Sequence, residues 1–366
     1  MKQKYFFLFI LFSFCLAVCI IAGLGIFDYN ISQKELLLGL QASADANLTN
    51  IAQQQKQEEQ REASLIAVGD IMLSRYVNFQ MTKLGDSYPF LKTRDYLQGG
   101  DIVFGNLETS ITTGTIPINT MNFRARPGIE TELRNSNFTV LSLANNHVPN
   151  YGQQAVLDTL DYLNKANIKP VGAGANAIDA YFPVFIERNG ITFAFFAYND
   201  NDVIPPNYEA SANNVGTAFM DIEKMKQGVS IANKIADHVI VSMHSGDEYK
   251  EIANTRQREF AHTAIDAGAD LVIGHHAHVV QQAELYKDKY IFYSLGNFIF
   301  DQEWSKDTKQ GLMAKFIFNK KDLKQIELRP IVISDYCQPD FTPALVGTEI
   351  LKRLDIDLTN PVFAEK

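Results

Sequence analysis

The stretch DLVIGHHAHVV (270–280) sets the frame for the whole chain. Its run Leu271-Val272-Ile273 is short, continuous and apolar, the pattern of a strand buried on both faces. At Gly274 the run breaks into His275, His276 and His278. A buried strand that ends in metal-binding side chains puts them at the carboxyl edge of a sheet, where α/β folds build their sites. The same punctuation recurs outward from here. LIAV (65–68) runs into Gly69-Asp70, DIVF (101–104) into Gly105-Asn106-Leu107-Glu108, TVLSL (139–143) into Ala144-Asn145-Asn146-His147, and HVIVSM (238–243) into His244-Ser245-Gly246. Five strand ends tipped with Asp, Glu, Asn or His converge if their strands are neighbours. Five of the seven histidines lie in these loops, which concentrates the chain's imidazoles at one edge.

Helical stripes lie between the strands. Gly152 to Asn167 places Val156, Leu157, Leu160 and Leu163 on one face, and Thr255 to Ala267 does the same with Phe260, Ala264 and Ile265. YIFYSL (290–295), ITFAFFAY (191–198), LMAKFIF (312–318) and IELRPIVI (326–333) add more strand than a simple alternation supplies. The expected class is α/β or α+β, with two sheets and helices outside them.

Composition agrees with a globular body: apolar residues make up 46% and charged residues 20%, which excludes a disordered or collagenous chain. Three cysteines, two of them (Cys15 and Cys19) in the apolar N-terminal run and Cys337 alone, exclude a disulfide framework. A net charge of -9 argues against nucleic-acid binding.

From Tyr5 to Phe27 there is no charged residue, and 23 helical residues span about 35 Å, enough for a bilayer core. Lys2 and Lys4 ahead of the run and Asp28 after it predict a cytoplasmic N-terminus and a domain on the outer side. A cleaved signal peptide or a lipoprotein site at Cys19 fits less well. The first has its small-x-small site only at Ala42-Ser43-Ala44, and the second has the bulky Val18 before the cysteine. The expected organisation is a cytoplasmic N-terminus (1–4), a transmembrane anchor (5–27), a polar stalk (28–62), a main domain (63–335) and a C-terminal tail (336–366).

Each candidate has a plain structural reading. Asp70 alone reads as a turn or cap residue, Asn145-Asn146 as a tight turn, Asn106 as a turn residue, and Arg75 and Arg124 as surface ion pairs. His276-Ala277-His278 is more telling, because alternate residues of an extended segment present two imidazoles to one metal. In that geometry His275 points elsewhere, as a structural residue or a support to the ligands. His238 and His262 read as ordinary. No Gly-x-Ser-x-Gly or phosphate-binding Gly-rich loop competes. The constellation, more than any single member, predicts a metal site.

The series GDIMLSR (69–75), NLETSIT (106–112), FRARP (123–127), LANNH–YG (143–152), VSMHSGDEY (241–249), GHHAHVVQ (274–281) and YSLGNFIFDQ (293–302) resembles the CapA/PgsA family. These are membrane-anchored proteins of poly-γ-glutamate capsule synthesis, within the calcineurin-like metallophosphatases. The resemblance implies a two-sheet β-sandwich flanked by helices, and one or two divalent ions, with manganese, zinc or iron expected. It implies Asp70 and His278 as ligands of a first metal, Glu108 as the bridging carboxylate, and Asn146, His244 and His276 as ligands of a second. Asn145 and Asn146 are interchangeable in that scheme. His147 resembles the imidazole that stabilises or protonates a leaving group, and Arg75 and Arg124 are candidates to contact an anionic substrate. One position departs: the superfamily's His two residues after the first Asp is Met72 here, a poor ligand for hard metals.

The function so implied is an extracytoplasmic component of poly-γ-glutamate synthesis or export, working with membrane-embedded polyglutamate synthase and export subunits on an anionic polymer or phosphoester. An exported phosphoesterase unrelated to capsule, or a non-catalytic scaffold, is the alternative. The net charge of -9 opposes a polyanionic substrate at long range, so a metal or local cations would have to offset it.

Overall fold

The computed structural model describes residues 33–118 and 123–363. The expected N-terminus, the anchor at 5–27 and the first stalk residues lie outside them. No helix among the described residues is long and apolar enough to cross a membrane. The chain divides into two units, Met1–Gln57 and Glu58–Lys366. The described part of the first lies in one helix, Gln33–Glu59 (α1), in the segment read as a stalk.

The second unit is built on two sheets. Strands of the first are Glu62–Ile71 (β1), Ile102–Leu107 (β2), Val140–Ser142 (β3) and Lys169–Val171 (β4). Those of the second are Val184–Arg188 (β5), Ile191–Asn199 (β6), His238–His244 (β7), Leu271–His275 (β8), Ala283–Tyr286 (β9) and Lys289–Phe292 (β10). The chain then returns to the first sheet through Asn297–Ile299 (β11), Gln310–Asn319 (β12), Leu323–Ser334 (β13) and Gln338–Phe341 (β14). The first sheet runs β14-β13-β12-β1-β2-β3-β4 with β11 beside the end of β1, and the second runs β9-β10-β8-β7-β6-β5. β1, β2, β3 and β4 are parallel, as are β6, β7, β8 and β10, so their carboxyl ends face one edge.

The inner faces of the sheets pack on each other through Leu65, Phe104, Phe193, Phe195, Ile240 and Phe316. Phe104 stacks on Phe195 across the gap with ring centroids 5.8 Å apart. The outer face of the first sheet is covered by helices Arg75–Leu84 (α2), Ile129–Asn135 (α3) and Gly152–Lys165 (α4), through Val77, Leu133, Val156 and Leu163. Helices Ile222–Ala232 (α5) and Thr255–Ala267 (α6) cover the second through Met225, Val229, Phe260 and Ala264. The expectation of two sheets with helices outside is met. The start of α6 is set by a capping box: Asn254 Oδ1 accepts from Gln257 N at 3.0 Å, and Gln257 Oε1 accepts from Asn254 N at 2.9 Å.

Two features differ from the sequence reading. In the segment expected as a C-terminal tail (336–366), the described residues 336–363 are not a separate tail, because β14 pairs with β13 and Phe363 enters the core between the sheets. Pro339 and the short run around it hid a strand that needs an edge partner to form. His276-Ala277-His278 is not extended either. His276 and His278 take φ of 89° and 57°, left-handed conformations that cost a non-glycine residue about 1 kcal/mol or more. The strand stops at His275, and the turn that follows sends both imidazoles back across the sheet edge.

The crossing from β10 to β11 passes close beneath this edge. Leu295 N donates to the Gly274 carbonyl at 3.3 Å, and Asp70 N to the Gly296 carbonyl at 3.0 Å. A Cβ on Gly69 would collide with the Gly296 oxygen, and one on Gly274 with the Tyr293 oxygen, so both glycines are required by the close approach.

Candidate metal centre

Six strand or crossover ends deliver polar side chains to one buried cluster. Asp70 comes from β1, Asn106 and Glu108 from β2 and the residues after it, and Asn146 and His147 from the loop after β3. β7 ends in His244, β8 leads into His275, His276 and His278, and β11 begins with Asn297. Ligand atoms of Asp70, Glu108 and His244 lie within 4.8 Å of one another, and all three side chains are buried. His244 Nε2 is 3.0 Å from Asn146 Oδ1 and 3.1 Å from His276 Nδ1. His278 Nδ1 is 3.5 Å from Asp70 Oδ2. The structure therefore brings the six predicted ligands into one connected group.

Asn106, read from the sequence as a turn residue, stands at its centre. Its Nδ2 is 2.9 Å from Asp70 Oδ1, 3.1 Å from Glu108 Oε1 and 3.1 Å from His244 Nδ1. Its Oδ1 accepts from Asn145 Nδ2 at 3.1 Å. One amide thus ties both carboxylates to the imidazole of the opposite sheet. The signal was the placement of Asn two residues before Glu108 at a strand end, which a turn reading also explains. The two asparagines of the 145–146 pair separate by role. Asn145 Oδ1 accepts from the backbone N–H groups of His147 and Val148 and shapes the turn, whereas Asn146 Oδ1 faces His244.

His147 packs against Phe123 with ring centroids 3.9 Å apart. Its Nδ1 donates to Asn150 Oδ1 at 3.1 Å, an orientation set by Asn150 Nδ2 donating to the Asn146 carbonyl at 3.4 Å. That leaves Nε2 with a lone pair. Similarly, His278 Nδ1 lies 3.0 Å from Asn297 Oδ1, so Asn150 and Asn297 are orienting partners that a single sequence does not announce.

The two arginines are engaged. Arg75 forms a salt bridge with Asp301, with its guanidinium 4.6 Å from the Phe123 ring centre, beside the cluster. Arg124 donates to the Gly114 carbonyl at 2.7 Å. Met72 is fully buried, and its Sδ accepts from Ser74 N at 3.1 Å. His238 Nε2 bonds the Asn319 carbonyl, and His262 stacks on Tyr286 and meets Glu284, so both have ordinary structural roles.

The electrostatics of the cluster favour a cation. Burial pushes Asp70 upward, but the adjacent imidazoles of His275 and His278 outweigh it and hold its pKa well below the usual carboxylate value. Burial, reinforced by the charge of Asp70, drives Glu108 well above its usual value. Glu108 Oε2 is buried without a hydrogen-bond partner. Burial lowers His147 to about 3 and His276 to about 4, and lowers His244 well below its ordinary value. Among the described residues no Lys or Arg pairs with Asp70 or Glu108. Two acids and several neutral imidazoles, close together and dry, are a donor set that a divalent metal satisfies and side chains alone do not.

The family model for "Bacterial capsule synthesis protein PGA_cap" matches residues 64–302. "PGA biosynthesis protein CapA" of Bacillus subtilis is 36% identical over 79% of this chain and 75% of its own length. "Capsule biosynthesis protein CapA" of Bacillus anthracis is 31% identical over 85% of this chain and 77% of its own. The solved calcineurin-like phosphoesterase YfkN of Bacillus subtilis superposes with a TM-score of 0.47 at 12% identity, covering 80% of this chain and 96% of that one. With more than half the chain matched by the family model, and two relatives above 30% identity along most of their length, this protein belongs to the bacterial capsule synthesis family PGA_cap.

Proposed function

We propose that this chain is a metal-dependent, membrane-anchored component of poly-γ-glutamate capsule assembly, acting on the outer side of the membrane beside synthase and export subunits. The observation that carries the metal-dependent part is Glu108. Its carboxylate is buried beside Asp70 with one oxygen unpartnered, a costly arrangement for a protein to retain unless a cation completes it. The proposed holders are Asp70, Glu108 and His278 on one side, and Asn146, His244 and His276 on the other. A divalent ion there supplies Lewis-acid polarisation of an oxyanion and a bound water of lowered pKa.

The remaining residues have separable tasks. Asn106 holds the two carboxylates and His244 in register. His147, neutral and with Nε2 unprotonated, presents a hydrogen-bond acceptor at that atom, while Asn150 keeps the other nitrogen protonated. Phe123 and Phe300 exclude water from one side of the cluster, packing on His147 and His278. Arg75, lying on Phe123 beside the cluster, offers a cation to an incoming anion, and its pairing with Asp301 leaves the acidic chain dependent on the metal to draw a polyanion in.

The test is elemental mass spectrometry of the purified full chain and its His276→Ala variant, run beside surface display of the polymer in cells carrying each. Bound metal in the parent, lost in the variant together with display, supports the reading. Display that survives loss of the metal refutes its metal-dependent part.

A further inference from the structure

His275 has so far entered only as a neighbour of Asp70. It ends β8 in register with His244 of β7, so the two side chains leave neighbouring parallel strands on the same face, toward the first sheet. The ring is fully buried, and both nitrogens lack an aligned hydrogen-bond partner. Its Nδ1 nevertheless stands 3.3 Å from Asp70 Oδ1. Phe104 lies near it, with ring centroids 6.0 Å apart, so the imidazole sits against an apolar wall. Leaving a buried polar group unmade costs about 1–3 kcal/mol. A fold that keeps an imidazole here has a use for its lone pair.

The need is visible on the same carboxylate. The side of the centre built on Asp70 has Glu108 and His278 as its other candidate donors. Two residues beyond Asp70 the chain carries Met72, a thioether that a hard divalent metal takes poorly and whose Sδ is already occupied by Ser74 N. We propose that His275 supplies the imidazole ligand that Met72 does not, completing the metal site on the Asp70 side. The inference rests on the metal-dependent reading above and deepens it: the centre has two ions, and the Asp70 site is nitrogen-rich enough for zinc or iron.

The experiment compares the full chain with His275→Leu, Met72→His and the double variant, purified in detergent and loaded with zinc. Metal is counted by elemental mass spectrometry, and the number of imidazoles per zinc is measured by X-ray absorption. Near-UV circular dichroism checks the fold. The parent is expected to hold two equivalents, His275→Leu one, and the double variant two again, because the new histidine restores a nitrogen beside Asp70. A His275→Leu protein that keeps the parent's metal count and imidazole number overturns the proposal. So does a loss of metal that Met72→His does not restore, since that marks His275 as a packing residue. A parent that binds no metal overturns this inference and the metal-dependent function together, whereas the preceding outcomes overturn this inference alone.

Discussion

Replacing Glu108 by Gln should make the metal-free protein more stable and the metal-loaded protein less so. Ligand oxygens of Asp70 and Glu108 lie within 4.8 Å. At that separation, two full charges at an effective dielectric of 20 repel by about 3.5 kcal/mol. Proton uptake by Glu108, whose pKa is raised by burial and by Asp70, relieves part of this without a metal. Gln keeps an oxygen for Asn106 Nδ2 and adds an N–H that can donate to Asp70, so it imitates the protonated acid at every pH. The sign follows from linkage: a folded-state pKa raised above the unfolded value gives stability that is present at low pH and lost as pH rises through it. The variant should therefore gain most at about pH 8, by about 1–3 kcal/mol, or about 2–6 °C in Tm for a domain of this size. With metal at 100 times its Kd the parent gains about 2.7 kcal/mol that the variant forfeits. Differential scanning calorimetry in EDTA and then in manganese should show the order of the two proteins invert. If Glu108→Gln is the less stable protein in both conditions, the carboxylate is an ordinary core hydrogen-bonding group and the argument for a cation fails.

Acid should unfold the chelated protein early. His147 and His276 have folded-state pKa values lowered by burial to about 3 and about 4. Their contribution is intact above about 6.5, the unfolded value, and is lost as pH falls toward the folded ones. By pH 5 each costs about 2 kcal/mol. Urea midpoints in EDTA at pH 7 and pH 5 measure this, and equal midpoints would show the imidazoles to be solvated. The C-terminal segment should matter for folding, because Phe363 packs between the sheets and Ile326 N bonds the Val362 carbonyl at 2.7 Å. Phe363→Ala should cost about 3 kcal/mol in urea unfolding, and a change below about 0.5 kcal/mol would mean the segment is detached in solution.

The strands were legible because each is a short apolar run stopped by Gly or a polar residue, and their ends named the site. Asn106 was not, since an Asn after a strand serves a turn equally well and only its three contacts show otherwise. His276 and His278 were found by their spacing, but for a geometric reason that does not hold: alternation assumes an extended chain, and the φ values show a turn. The strand Gln338–Phe341 was missed because four residues with a proline carry no periodic signal, and pairing with β13 supplies what its sequence lacks. Cations were the hardest to place. Whether Arg75 meets a ligand or Asp301 depends on a residue 226 positions away.

The crossing between β10 and β11 bears on how far the centre can open. Its backbone is bonded to both sheets within a few residues, at Gly274 on one and Asp70 on the other, and the glycines let it pass with no side chain between. The two halves of the donor set are thus riveted at their base and cannot part like jaws. Admission of a ligand to the centre therefore falls to the loops at the sheet edge and not to any parting of the two sheets.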